Sequence, residues 1–214
     1  MLRAGPWWKS EDRGIRYMIE RAETTGMILA GGMSSRMGFD KAFLPFGGGT
    51  FIERIAAEMR LVLPSVAIVS ADTRRFDHLG LPVIADVYEN CGPLGGLHAA
   101  LAASSTSHVL LMPCDTPRVN SALLTRLLAG SSPGEITICS DGDRIHPLAG
   151  IYPRSLLGNL DRAIKSGVRR VTDVLRNEKF RILAFPELDA AFQNINTPEE
   201  YAILLLSQEQ SGKQ

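Results

Sequence analysis

The sequence predicts a three-layer α/β/α domain built on a mostly parallel sheet. Three observations point there. Short runs rich in Val, Ile and Leu recur, amphipathic helical stretches lie between them, and loops bearing Gly or Asp follow where the runs end. A run apolar along its whole length reads as a strand covered on both faces, which is the environment of a parallel strand.

Taken in order, Gly26 to Ala30, Val66 to Ser70, Leu81 to Ala85, Val109 to Met112 and Ile136 to Cys139 are the expected strands. Thr50 and Glu53 form a capping box for a helix whose apolar face carries Ile52, Ile55, Ala56, Met59 and Val62. Gly92 to Gly96 opens a helix running through Leu101, and Asn120 caps another over Leu123, Leu124, Leu127 and Leu128. His146 to Tyr152 reads as a short strand leading to a helix at Arg154. The arginines Arg169 and Arg170 sit beside a turn and a capped helix. Asn194 and Asn196 alternate on a strand-like face before Thr197-Pro198-Glu199-Glu200, which combines an N-cap, a first-turn proline and acidic residues. Residues 1–24, with Trp7 and Trp8, form an extension expected to be poorly ordered, and 25–214 a single domain.

Composition narrows the function. Lys+Arg and Asp+Glu balance at 23 each, whereas a general nucleic-acid binder carries a basic excess. Cys91, Cys114 and Cys139 are widely spaced and odd in number, which suits reduced thiols in a cytoplasmic protein and not a disulfide framework. No apolar run is long enough to span a bilayer. His78, His98 and His108 have no visible partners and read as surface or boundary residues.

In open α/β sheets, ligands bind beyond the carboxyl ends of the strands, so the loops there carry the chemistry. The first runs Leu29-Ala30-Gly31-Gly32-Met33-Ser34-Ser35-Arg36-Met37-Gly38-Phe39-Asp40-Lys41. Its glycines let backbone amides approach phosphate oxygens, and Arg36 and Lys41 add the charge a triphosphate needs. The spacing fits neither a P-loop, since Gly38 lies three residues before Lys41 and Ala42 follows it, nor a dinucleotide fingerprint. Asp86 follows the third strand, and Ser70 ends the second. Asp115, in Pro113-Cys114-Asp115-Thr116-Pro117, is placed either to hold Mg²⁺ or to cap the next turn. Cys114 is expected to be inert, because a neighbouring carboxylate raises a thiol's pKa. Arg169 and Arg170 suit an anionic acceptor, and equally an ordinary solvated pair. Asn194 and Asn196 offer both donors and acceptors.

The strings LAGGMSSRMGFDKA, GPLGG, PCDTP, HPLAGIY and NINTPEE, in that order, resemble the molybdenum cofactor guanylyltransferases, within the wider nucleotidyltransferase group. The likeness spans roughly Thr25 to Leu206, with Gly95 where alanine is usual. It implies a Rossmann-like nucleotidyltransferase fold whose N-terminal half binds nucleotide and whose C-terminal half binds the acceptor. It implies catalysis by Lys41, Arg36 and Asp115, and nucleotide contacts from Leu29, Ala30, Gly31, Gly32, Lys41, Ser70, Asp86, Gly92, Pro93, Leu94, Gly95 and Asp115. Asp115 would carry Mg²⁺, and His146, Asn194 and Asn196 would meet the acceptor; Arg169 and Arg170 are added to the acceptor side on their paired charge alone. The expected substrates are GTP and the terminal phosphate of molybdopterin, with pyrophosphate released. Molybdoenzyme maturation proteins are the expected partners, and neither nucleic acid nor membrane is involved. Cytidylyl transfer to the same cofactor, transfer to a sugar 1-phosphate, and non-catalytic nucleotide binding are the alternatives.

Overall fold

The computed structural model describes residues 19–31, 40–186 and 191–211. Its elements are β1 (Thr24–Leu29), β2 (Pro45–Phe46), β3 (Gly49–Thr50), α1 (Phe51–Arg60), β4 (Val66–Val69), β5 (Val83–Ile84), α2 (Gly92–Ala103), β6 (His108–Pro113) and α3 (Ser121–Gly130). The C-terminal half adds β7 (Ile136–Ser140), β8 (Ile145–Pro153), α4 (Leu157–Lys165), α5 (Val171–Leu175), β9 (Phe180–Ala184) and α6 (Pro198–Ser211).

Seven strands form the main sheet in the order β5-β4-β1-β6-β8-β7-β9. β8 alone runs against its neighbours; the remaining pairs are parallel. Successive side chains of a strand point to opposite faces, and β1 shows the consequence. Ile28 and Ala30 pack with Ile52, Ile55 and Met59 of α1 and Leu124 of α3. Met27 and Leu29 pack on the other face with Leu94 and Leu97 of α2 and Leu160 of α4. The sheet is therefore the middle of three layers, as the apolar runs predicted. Ile19 is buried in the first of these cores, so the folded body takes in residues ahead of β1. Residues 1–18, with Trp7 and Trp8, lie outside the described residues.

The helix starts are built as their residues dictate. Thr50 Oγ1 accepts the Glu53 amide while the Glu53 carboxylate accepts the Thr50 amide, completing the capping box. Asn120 Oδ1 accepts the Leu123 amide at 2.9 Å. Gly92 has φ of 53°, a left-handed conformation that glycine adopts without steric cost as the chain turns into α2. α5 differs from expectation: Arg170 stands at its N-cap without a side-chain cap. His98 and His108 are also corrected, since both are buried. His108 Nε2 accepts the Gly134 amide, and the Tyr88 ring meets His98 edge-on.

A third, smaller core joins residues 44–51 to the C-terminal segment. Leu44, Phe46 and Phe51, from the β2–β3 hairpin and α1, pack with Ile195 and Leu204 from the C-terminal segment. The Tyr201 hydroxyl donates to the Pro45 carbonyl at 2.7 Å. This contact brings the residues around Asn196 against those around Lys41.

Gly150 shows how tightly the sheet is set. A Cβ at this position would lie 2.4 Å from the Thr137 carbonyl oxygen and 3.1 Å from Ile138 Cα, next to a shift in the β7–β8 register. Both obstacles are backbone and cannot rotate away. Gly150→Ala is therefore expected to destabilise at or above the upper end of the roughly 1–3 kcal/mol typical of overpacking. Urea denaturation followed by circular dichroism measures this; an unchanged midpoint would contradict it.

Candidate active site

Leu29, Val69 and Pro113 are in register where β1, β4 and β6 end together. Backbone hydrogen bonds continue past the ends, from Ala30 to Val69 and from Cys114 to Leu29. Three loops thereby leave the sheet side by side, and they enclose a cleft of about 330 Å³. The sequence-predicted Leu29, Ala30, Gly31, Lys41, Asp86, Gly92, Pro93, Asp115 and Asn194 all line it. Gly32 and Arg36 lie outside the described residues.

Asp115 is the electrostatic centre. Its side chain is 17% exposed, and its Oδ1 is buried with no hydrogen-bond partner among the described residues. Burial drives its pKa upward, and the nearby Lys41 cation only partly opposes that. Lys41 Nζ stands 3.6 Å from Asp115 Oδ2 and donates to Asn196 Oδ1 at 2.5 Å. The Ile195 amide donates to the Asp115 carbonyl at 3.0 Å. The segment 194–196 is a loop, not the strand-like face the alternation suggested. With Ile195 buried in the third core, its two asparagine neighbours are left exposed at the site.

Asp86 sits at the α2 side of the cleft, where burial also raises its pKa. The Cys114 thiol is pushed up to about 12, first by burial and then by Asp115. The direction is the one the sequence led us to expect, with burial and not the neighbouring carboxylate as the larger cause.

Other expected contacts take structural positions. Ser70 is buried and its hydroxyl accepts the Asp72 amide at 3.3 Å. Leu94 is wholly buried in the core beneath α2. Gly95 does not line the cleft either; an added Cβ would come 2.9 Å from Cys91 Cβ and 3.2 Å from the Tyr88 carbonyl. Glycine in place of alanine here relieves a packing conflict.

A second cavity, about 670 Å³, adjoins the first through Asn194. His146 and Asn196 line it with Asp141, Arg144, Phe192 and Glu200. His146 stacks on Phe192 with ring centroids 4.8 Å apart, and its Nε2 is 3.0 Å from Asp141 Oδ2. Burial opposes ionisation of Asp141. The Arg144 amide, the His146 ring and the Asp143 amide together outweigh it and hold the carboxyl below its ordinary value. Arg169 and Arg170 line neither cavity. Arg169 instead donates to the Ile164 and Val168 carbonyls at the end of α4, a helix-terminating role common for arginine.

Sequence reasoning missed Asp40 and Arg75, which also line the first cleft and form an ion pair there. Asp40 lay inside the quoted glycine-rich motif, and Arg75 in a loop following a predicted strand, so both carried a readable signal.

Lys41, Asp86 and Asp115 meet in one cleft at the sheet's carboxyl edge, and the sequence's family match makes this the site of a nucleotidyltransferase domain. Residues 26–180 match the MobA-like NTP transferase domain, and the chain belongs to that family. Among its relatives, the molybdenum cofactor guanylyltransferase of Rhizobium meliloti is 36% identical over 189 residues, 81% of this chain and 87% of the relative. A probable molybdenum cofactor guanylyltransferase of Carboxydothermus hydrogenoformans is 32% identical over 187 residues, 85% and 94% of the two chains. The crystal structure of molybdopterin-guanine dinucleotide biosynthesis protein A from Archaeoglobus fulgidus superposes with a TM-score of 0.73 at 25% identity, covering 89% of this chain and all of that one. Among the described residues, no helix is long and apolar enough to cross a membrane.

Proposed function

We propose that the chain transfers GMP from GTP to the terminal phosphate of molybdopterin, releasing pyrophosphate and forming the guanine dinucleotide cofactor. One observation carries the reading. Lys41 from the nucleotide half, Asp115 at the centre and Asn196 from the acceptor half converge within hydrogen-bonding or ion-pairing reach. The names of the guanylyltransferase relatives supply the base and the acceptor.

The acceptor phosphate is largely dianionic at pH 7, since its second pKa is about 6. It is already a nucleophile and needs no general base. Its oxygen attacks the α-phosphorus, the bond to the bridging oxygen breaks, and the electron pair leaves with pyrophosphate. The protein's task is alignment and charge compensation. Lys41 meets the negative charge, and the Asn194 and Asn196 amides orient the incoming phosphate. The second cavity, with the stacked His146 and Phe192, holds the acceptor's body.

The residues present suit Mg²⁺. Asp115 offers one buried, unpartnered carboxylate oxygen at a strand end, and no cluster of three or more His, Cys, Asp or Glu side chains is found among the described residues. That matches an ion which shares its shell with water and substrate phosphate instead of filling a protein cage. Held by Asp115, it would polarise phosphate oxygens and neutralise their charge. The free thiols Cys91, Cys114 and Cys139 suit a reducing compartment, and we assign the enzyme to the cytoplasm.

The test is pyrophosphate release from the purified chain with the phosphate-bearing cofactor, Mg²⁺ and either GTP or CTP. Release with GTP and little with CTP is expected. Preference for CTP would replace the base assignment, and nucleotide binding without release would remove the activity.

A further inference from the structure

Arg75 sits on the helical turn Arg74–Leu79 after β4, lining the nucleotide cleft. Its side chain is 23% exposed, and its guanidinium lies over the Phe43 and Phe76 rings at 5.5 and 5.1 Å. The two rings stack on each other at 5.3 Å, so the cation rests on a rigid aromatic floor. A guanidinium held over aromatic rings still has N–H donors to offer an anion. Among the described residues, the Asp40 carboxylate pairs with the guanidinium. Asp40 is itself fixed, since its Oδ1 accepts the Ala42 amide at 3.1 Å.

Phe76 is wholly buried in the main core and the partly buried Phe43 packs against it, so Arg75 covers this floor from the cleft side. Withdrawing it from water lowers its pKa, a cost that a purely structural side chain would avoid by reaching solvent. Arg75 and Lys41 both act electrostatically on the Cys114 thiol, so the two cations bracket the same corner of the cleft. Among the described residues lining the cleft, these two cations face three carboxylates, Asp40, Asp86 and Asp115. A triphosphate entering such a site needs a cation to be released from its internal partner.

The sheet order decides which phosphates are concerned. The acceptor segments, β8 and 194–196, lie on the β6 side of β1, whereas Arg75 follows β4 on the opposite side. In-line displacement sends the leaving group away from the acceptor. Asp86 and the start of α2 occupy the other face of the sheet, that of the Leu94 and Leu97 cluster. We propose that Arg75 is a nucleotide-binding residue which exchanges Asp40 for the β- and γ-phosphates and grips the departing pyrophosphate. This rests on the nucleotidyl-transfer reading and adds to it a residue for the leaving group, with Asp40 as its placeholder.

Calorimetry with inorganic pyrophosphate, GMP and GTP, each with Mg²⁺, tests the assignment on the full-length chain. Arg75→Gln, checked for folding by circular dichroism, should weaken pyrophosphate and GTP by about 10- to 100-fold, the range of a charge-assisted contact. GMP should change by less than about threefold. Arg75→Lys keeps the charge without the fork and should fall between. Asp40→Asn keeps an oxygen for the Ala42 amide but removes the competing charge, and should bind pyrophosphate more tightly. Pyrophosphate affinity unchanged in folded Arg75→Gln, equal losses for GMP and GTP, or weaker binding in Asp40→Asn would each overturn the assignment. A wild-type chain that binds GTP while Arg75→Gln matches it sinks only this inference. A wild-type chain that binds no nucleotide sinks the nucleotidyl-transfer reading as well.

Discussion

Asp115→Asn is expected to fold, to melt no lower than the wild type, and to lose turnover by roughly 10²–10³-fold or more. The stability half follows from the carboxylate's environment. Burial raises the Asp115 pKa, and Lys41 at 3.6 Å does not fully compensate. An acid whose pKa is higher folded than unfolded binds its proton more readily in the native state. Stability then falls as pH rises through the window between the two values, and the whole cost is present above the folded one. A neutral side chain of the same shape removes that cost. The activity half follows from the same atoms: Oδ1 is buried without a partner, and an amide cannot supply the charge that a phosphate-bound cation needs. Loss of activity without loss of stability is the pattern of a group retained for function. Differential scanning calorimetry beside steady-state pyrophosphate release measures both halves. A variant that melts clearly lower, or one that turns over like wild type, contradicts the argument.

Much of this was readable in the chain. Local signals performed well because each is decided within a few residues: the Thr50–Glu53 box, the Asn120 cap, and the apolar runs that became β1, β4, β6 and β7. What eluded the sequence depends on distant partners. The β2 and β3 strands are only two residues each, held by a turn in which Gly47 and Gly48 have φ of 64° and 86°, too short to show a period. β9 and the reversed direction of β8 are properties of pairing, not of local pattern. At the site, Asp86 and Asp115 stood just past strand ends where geometry demanded them, and Lys41 closed the glycine-rich motif that follows β1. Arg169 looked like an anion ligand because its use by the Ile164 carbonyl is invisible without coordinates. Arg75 was overlooked because its signal, an arginine beside Phe76 after a predicted strand, gains its meaning only when Phe43 from a distant loop completes the floor.

Lys41→Ala should produce a comparable fall in turnover, roughly 10²–10³-fold, but with a different signature. Lys41 is the largest influence holding the Asp115 pKa down. Its removal lets that pKa climb further, so the acid limb of the pH–rate profile should move to higher pH, whereas Asp115→Asn should abolish that limb. Lys41 also donates to Asn196 Oδ1 at 2.5 Å, a link between segments that the Leu44, Phe46 and Ile195 core brings together. The Asn196 and Thr197 amides are held independently by the Glu200 carboxylate, at 2.5 and 3.1 Å, and Ile195 remains buried. The acceptor segment therefore keeps its place when Lys41 is lost, and the acceptor's KM should change less than kcat. A loss confined to the acceptor's KM, with kcat and the acid limb unchanged, would show that Lys41 serves as a strut and not as the cation of the transferring phosphate.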